Sequence, residues 1–161
     1  GSYSGISCWE IAGNAAVHAC KDAIADRLSC VDLFSLNLTE GKHITGETEP
    51  LRVVDALRQM HADNVILRMG AKGALAAKDG AVWEIPAAHA NVVDVTGGGN
   101  SSTGGFLVGY CESGGDIAYA ARCAAVSASF IIEQWGVPPL MDAAFHKQAE
   151  ARLAALPTTR I

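Results

Sequence analysis

The chain has 161 residues, half of them hydrophobic and few aromatic, with 17 glycines and a net charge of -5. That is enough chain for one packed α/β domain, and the absence of a basic cluster argues against a nucleic-acid backbone as partner. No apolar run approaches the ~20 residues of a membrane span, and the start "GSYSGISCWE" has neither a charged leader nor an apolar stretch, so neither a span nor a secretory leader is expected. The five cysteines (Cys8, Cys20, Cys30, Cys111 and Cys123) are odd in number and contain no C-x-x-C pair. Reduced, buried thiols in a cytoplasmic protein are the expectation, with neither a disulfide framework nor a zinc site.

After a short apolar run, "ISCWEI", the segment "NAAVHACKDAIADRLS" places Val17, Cys20, Ile24 and Leu28 on one helical stripe. "VDLFSL" (Val31 to Leu36) reads as a strand that ends in a polar stretch, "NLTEGKHITGETEP", expected to be a loop with at most a short helix. Pro50 then opens a helix, "LRVVDALRQMHA", as proline does at a first helical position. "NVILRM" is a continuous apolar strand of the kind covered on both faces. It is followed by a Gly70-x-x-Gly73 turn, a strand, and a two-residue hairpin at Asp79-Gly80. The crossing segment "AAHANVVDV" leads to "DVTGGGNSSTGGF", after which three helices are expected, roughly Ser101–Glu112, Asp116–Gln134 and Met141–Leu156. The middle one is apolar nearly all round and should be the central buried helix. Strand–helix–strand order followed by helices argues for an α/β architecture with a mostly parallel sheet flanked by helices.

The loop from Asp94 to Phe106 admits three readings. Gly97, Gly98 and Gly99 lack Cβ atoms, so successive amides can converge on an anion while the next helix adds its positive end. A dinucleotide fingerprint fails on spacing, because Ser102 stands where its third glycine would be, and a Walker A loop fails because no lysine follows. The third reading is a turn that needs glycine only for close helix packing. Two companion motifs favour the anion cradle: Asn37-x-x-Glu40 at one strand end and Gly70-x-x-Gly73 at another. In a parallel α/β sheet, ligands lie beyond the carboxyl ends of the strands, so the three loops are expected to converge. Taken alone, Asn37 and Glu40 also fit a helix-capping Asn and an exposed Glu.

The order N-x-x-E, a strand with a G-x-x-G turn, then D-x-T-G-x-G-N resembles the ribokinase-like (PfkB) carbohydrate kinase family, from about Val31 to Gly136. The "GGGN" variant, with "CWE" near the start and "FSLN" after a strand, is similar to a fungal branch related to the yeast maintenance-of-killer protein. The resemblance implies a ribokinase-like fold and an ATP-dependent phosphotransferase acting on a small sugar or related alcohol. It implies ATP, Mg2+ and a monovalent cation such as K+ as cofactors.

Residue by residue, Asn100 matches the family's catalytic base, an aspartate, and Gly97, Gly98 and Gly99 match the anion hole. A carboxamide has no useful basicity at neutral pH, so catalysis would be slow and a non-catalytic nucleotide-binding module is the rival reading. Asp94 and Thr96 match residues beside the monovalent cation. Asn37 and Glu40 match the pair that positions magnesium and the phosphates, usually through water. Arg68, Gly70 and Gly73 match the nucleotide-side strand end, where the family tends to have a small or hydroxyl residue in place of Arg68. Gly136 matches the turn bordering the cation and adenine sites. Family members are roughly twice this length, so residues 1–161 are expected to be a single partial domain, the nucleotide-binding half, without the lid and sugar-binding half. Strands that would pair with that half leave an open edge, which favours self-association. The five histidines are scattered without ligand spacing, the three tryptophans are structural, and Asp32 caps or pairs.

Overall fold

A computed structural model describes residues 5–11, 13–138 and 141–161, leaving aside the side chains of residues 14–16 and 18, so His18 lies outside the described side chains. The elements in chain order are β1 (Cys8–Glu10), α1 (Gly13–Ala25), β2 (Leu33–Asn37), α2 (Leu38–Thr45), α3 (Pro50–Gln59), β3 (Val65–Arg68), β4 (Ala74–Lys78), β5 (Ala81–Ile85), α4 (Gly98–Glu112), α5 (Ile117–Ile131), α6 (Ala143–Ala155) and β6 (Thr159–Arg160). Strand order in the sheet follows chain order. Pairing is parallel between β1 and β2 and between β2 and β3, and antiparallel between β5 and β6, so the sheet is mixed.

The chain forms two compact units, residues 1–69 with 75–82, and residues 70–74 with 83–161. In the first, alternation along the strands sends Trp9, Phe34, Leu36, Val65, Leu67, Leu75 and Ala77 into one core, where residues of α1, α2 and α3 meet them. Helix α3 begins at Pro50, as its sequence requires, and turns Val53, Val54 and Leu57 inward. The Asp79-Gly80 hairpin is present, with φ of 50° and 81°, the positive pair that a two-residue turn between twisted strands demands. In α1 the expected stripe holds only in part. Val17, Ile24 and Leu28 are buried, but Cys20 is exposed at a kink (φ -128°, ψ 21°), and Leu28 belongs to a separate 3-10 turn, Leu28–Cys30.

In the second unit, α4 and α5 pack closely because glycines line their contact. A Cβ on Gly105 would come within 2.6 Å of Ser127 Cβ, and one on Gly109 within 2.8 Å of Cys123 Sγ. Helix α5 opens on Asp116, whose Oδ1 accepts the amides of Ala118 and Tyr119. It ends at Ile131, short of the expected Gln134, and is covered all round as expected: none of its residues is exposed, and its buried ones, from Ile117 and Ala121 to Val126 and Phe130, lie on opposite sides. Helix α6 lies against α5 through Phe130 and Phe145, whose ring centroids are 4.2 Å apart. No helix among the described residues is long and apolar enough to cross a membrane. All five cysteines are free, but the expectation that they are buried fails: Cys20, Cys30 and Cys111 are exposed, and Cys8 and Cys123 are half-buried.

Candidate functional site

In the first unit the carboxyl ends of β1, β2 and β3 bring together Glu10, Asn37, Glu40 and Arg68. Parallel register pairs Glu10 with Ser35 and Asn37 with Arg68. Asn37 ends β2 and is the N-cap of α2, so the polar stretch expected as a loop is mostly helix. Asn37 Oδ1 accepts the Glu40 amide at 2.9 Å, and Glu40 Oε2 accepts the Asn37 amide at 2.7 Å, a reciprocal capping box. Glu40 is buried (4% exposed), which corrects the picture of an exposed carboxylate: its side chain folds back under the helix start.

Arg68, the last residue of β3, donates from Nη1 to Glu10 Oε1 at 2.9 Å and from Nε to the Leu36 carbonyl at 3.4 Å. The guanidinium therefore crosses the end of β2 to reach β1. Sequence reasoning missed Glu10, whose only signal was a lone acidic residue at the end of a short apolar run. Cys8, two residues before it, has its thiol pushed up to about 11, chiefly by burial and further by the Glu10 carboxylate, with Arg68 opposing. Asp32 pairs as expected: its Oδ2 accepts the Ser7 amide and hydroxyl, both at 2.7 Å, and these bonds hold its carboxyl below the usual range. A polar groove along α3, lined by Glu47, Arg52, Asp55 and Arg58, contains none of the candidate residues.

The second unit holds the glycine-rich segments. Gly70 (φ 60°) and Gly73 (φ 85°) bracket a 3-10 turn closed by the Gly73 amide on the Gly70 carbonyl at 3.0 Å. A Cβ on Gly73 would run into the backbone of Ile85 and Pro86, so this glycine permits a close backbone approach. Gly136 also has positive φ (76°), with open space where a Cβ would stand.

The loop before α4 is anchored by α5. The Ile132 carbonyl accepts the amides of Val93 (2.8 Å) and Asp94 (3.2 Å), and Glu133 Oε1 accepts the amide of Asn91 at 3.0 Å. Glu133 in turn takes Arg152 Nη2 at 2.7 Å, while Arg152 Nη1 donates to Ser129 Oγ at 2.7 Å. Burial pushes the Glu133 carboxyl up, but the bonds from Arg152 and Asn91 with the charges of Arg152 and His89 outweigh it and hold it below its ordinary value. Neither Glu133 nor Arg152 stood out in the sequence, because their partners lie on other elements.

Asp94 Oδ1 accepts both the Thr96 amide (3.1 Å) and the Thr96 hydroxyl (2.9 Å), leaving Oδ2 as the oxygen it can offer a cation. Gly97 adopts the left-handed conformation (φ 81°) as N-cap of α4, so the helix starts at Gly98, three residues earlier than expected. The Gly98 amide bonds the Val95 carbonyl, and the first helical bond runs from Ser101 N to Gly97 O at 2.9 Å. The amides of Gly99 and Asn100 lie upstream of that ladder, at the positive end of the helix. Asn100 is exposed in this first turn. The packing alternative holds for part of the motif: a Cβ on Gly98 would approach Ile132 Cγ2 to 3.1 Å, and Gly105 meets α5 directly.

Among known proteins, residues 14–143 match the family described as pfkB family carbohydrate kinase. The chain is 34% identical over 122 residues to a cytidine kinase of Thermococcus kodakarensis, covering 72% of this chain and 42% of that protein. It is 31% identical over 135 residues to protein MAK32 of Saccharomyces cerevisiae, covering 72% of this chain and 37% of that one. The chain thus spans less than half the length of these relatives. Among solved structures, aminoimidazole riboside kinase from Salmonella enterica, complexed with aminoimidazole riboside and an ATP analogue, superposes with a TM-score of 0.77 at 20% identity, over 94% of this chain and 53% of that one. That likeness shows the ribokinase-like α/β fold.

Proposed function

Because this chain belongs to the pfkB family of carbohydrate kinases, we propose that it carries the nucleotide-handling half of an ATP-dependent phosphotransferase whose acceptor is a hydroxyl of a small sugar or related alcohol. The observation that carries the reading is the start of α4: a left-handed Gly97 followed by Gly98, Gly99 and Asn100, with first-turn amides ahead of the helical ladder. Such a terminus stabilises the negative charge of a phosphoryl group in transfer. Asn37, Glu40, Arg68, Gly70, Gly73 and Gly136 are taken as nucleotide-side residues. The identity to MAK32 supports a place in a fungal branch, and five free thiols support a cytoplasmic setting.

For magnesium, no group of three or more His, Cys, Asp or Glu side chains is gathered among the described residues, so a cage of protein ligands does not fit. Glu40 fits the lesser role of a single carboxylate acting through water, with the phosphates and further waters completing the ion's shell. Bound magnesium would neutralise phosphate charge. Asp94 Oδ2 and Thr96 fit a monovalent cation beside the helix start.

Asn100 stands at the base position and can accept a hydrogen bond from an acceptor hydroxyl without taking its proton. Transfer by positioning and charge stabilisation alone is then slow, below an aspartate-bearing site by roughly 10²–10⁴. The same carboxamide favours a second reading, a nucleotide-binding module without catalysis. Both predict that Mg-ATP raises the melting temperature of the chain, since a ligand of the folded state stabilises it. An unchanged melting temperature at millimolar Mg-ATP would remove both. Self-association through the edge strand β1 accompanies either reading, and a single monomeric species in sedimentation would remove that part.

A further inference from the structure

The pair Glu10–Arg68 does something the nucleotide reading leaves unassigned. Trp9, Leu36 and Leu67 point into the first unit's core, so alternation along the strands puts Glu10, Ser35 and Arg68 on the opposite face of the sheet. There the two charges flank β2 at its carboxyl end, 2.9 Å apart, with side chains 24% and 13% exposed. Arg68 commits one Nη1 donor to Glu10 and its Nε to the Leu36 carbonyl, and the planar fork retains further donors. The carboxyl ends of parallel strands are where anionic ligands approach an α/β sheet. A phosphate chain reaching this end meets a guanidinium already neutralised by Glu10, and a carboxylate that repels it.

We propose that Glu10 is a built-in competitor for the Arg68 guanidinium and lowers the affinity of this strand end for a phosphate chain. Glu10 is thus a positioning residue acting through Arg68, and the inference rests on the nucleotide reading only in taking that chain to belong to a nucleotide. Removing the Glu10 charge frees the fork for bidentate contact with phosphate and removes a repulsion, so binding tightens.

Calorimetric titration of the purified chain with ATP, and separately with inorganic triphosphate, tests this in the unsubstituted protein, Glu10→Gln, Arg68→Gln and the double variant, with urea midpoints recorded to establish folding. Glu10→Gln should bind both probes about tenfold more tightly and with a steeper salt dependence. Arg68→Gln should weaken both, and the gain should vanish in the double variant. A damaged fold cannot improve binding, which separates this outcome from a structural effect. Unchanged or weaker binding in Glu10→Gln, or a gain that persists without Arg68, overturns the inference while ATP binding by the unsubstituted chain keeps the nucleotide reading. A gain for triphosphate, with ATP bound no better than triphosphate, supports the inference and removes the nucleotide reading. No binding of either probe by any folded variant overturns both.

Discussion

Glu40 closes back on Asn37: its Oε2 accepts the Asn37 amide while Asn37 Oδ1 accepts the Glu40 amide, at 2.7 and 2.9 Å. The two residues expected to face magnesium and phosphate are therefore also the lock that starts α2. Asn37→Ala should destabilise the chain by about 1–2 kcal/mol in urea denaturation, since it leaves the Glu40 amide without its cap. Glu40→Gln is the informative partner, because glutamine also completes a capping box. Stability should stay within about 0.5 kcal/mol while Mg-ATP affinity falls. Loss of stability with unchanged affinity would reduce the pair to a cap.

Gly73 has no room for a side chain. It combines φ of 85° with a position against the Ile85 carbonyl and Pro86. Gly73→Ala should cost about 2–4 kcal/mol, from left-handed strain and overpacking together. Gly70→Ala has the same sign of φ but open space around it, and should cost about 1 kcal/mol. Equal urea midpoints for the two variants would contradict the packing described.

Arg152 holds Glu133 and, through it, the approach to the glycine loop. Arg152→Met leaves the Glu133 carboxylate and the Ser129 hydroxyl short of a partner and should destabilise by roughly 1–3 kcal/mol. The carboxyl of Glu133 is depressed in the folded chain, so its contribution is present above the unfolded value of 4.5 and is lost as pH falls from there through the folded value. Urea titrations between pH 7 and pH 3 should show a shallower acid loss in Arg152→Met than in the unsubstituted chain. Parallel curves would mean that Arg152 does not set this titration.

Asn100 occupies the third position of α4, where a carboxylate is welcome to the helix dipole. Asn100→Asp should therefore stabilise the chain by about 0.3–1 kcal/mol and, under the kinase reading, raise phosphate transfer to nucleoside or sugar hydroxyls by roughly 10²-fold or more. ATP bound with no gain in transfer would select the binding module.

The residues that spoke for themselves were those whose role is local. Asp79-Gly80 demanded a turn because its backbone needs positive φ, Pro50 opened α3, and Asn37-x-x-Glu40 carried both a capping and a phosphate-side reading that the structure does not force apart. The start of α4 was placed too late because glycines count against a helix interior, whereas Gly97, Gly98 and Gly99 are its cap and first turn, where a missing Cβ carries no such penalty. Cys20 fitted a helical stripe by spacing, and a kink turned it outward.

Sequence alone determined the α/β class, the family and the order of the three motifs, because periodicity, turn chemistry and a short glycine-rich signature are written within a few residues of one another. Only the tertiary structure decided that Arg68 is spanned to Glu10 across β2, that Glu40 is buried beneath its own helix, and that Arg152 steadies Glu133 under the loop. Those choices depend on which charges the folded chain brings within about 3 Å of each other. Such distances are set by strand register and helix packing between residues far apart in the chain.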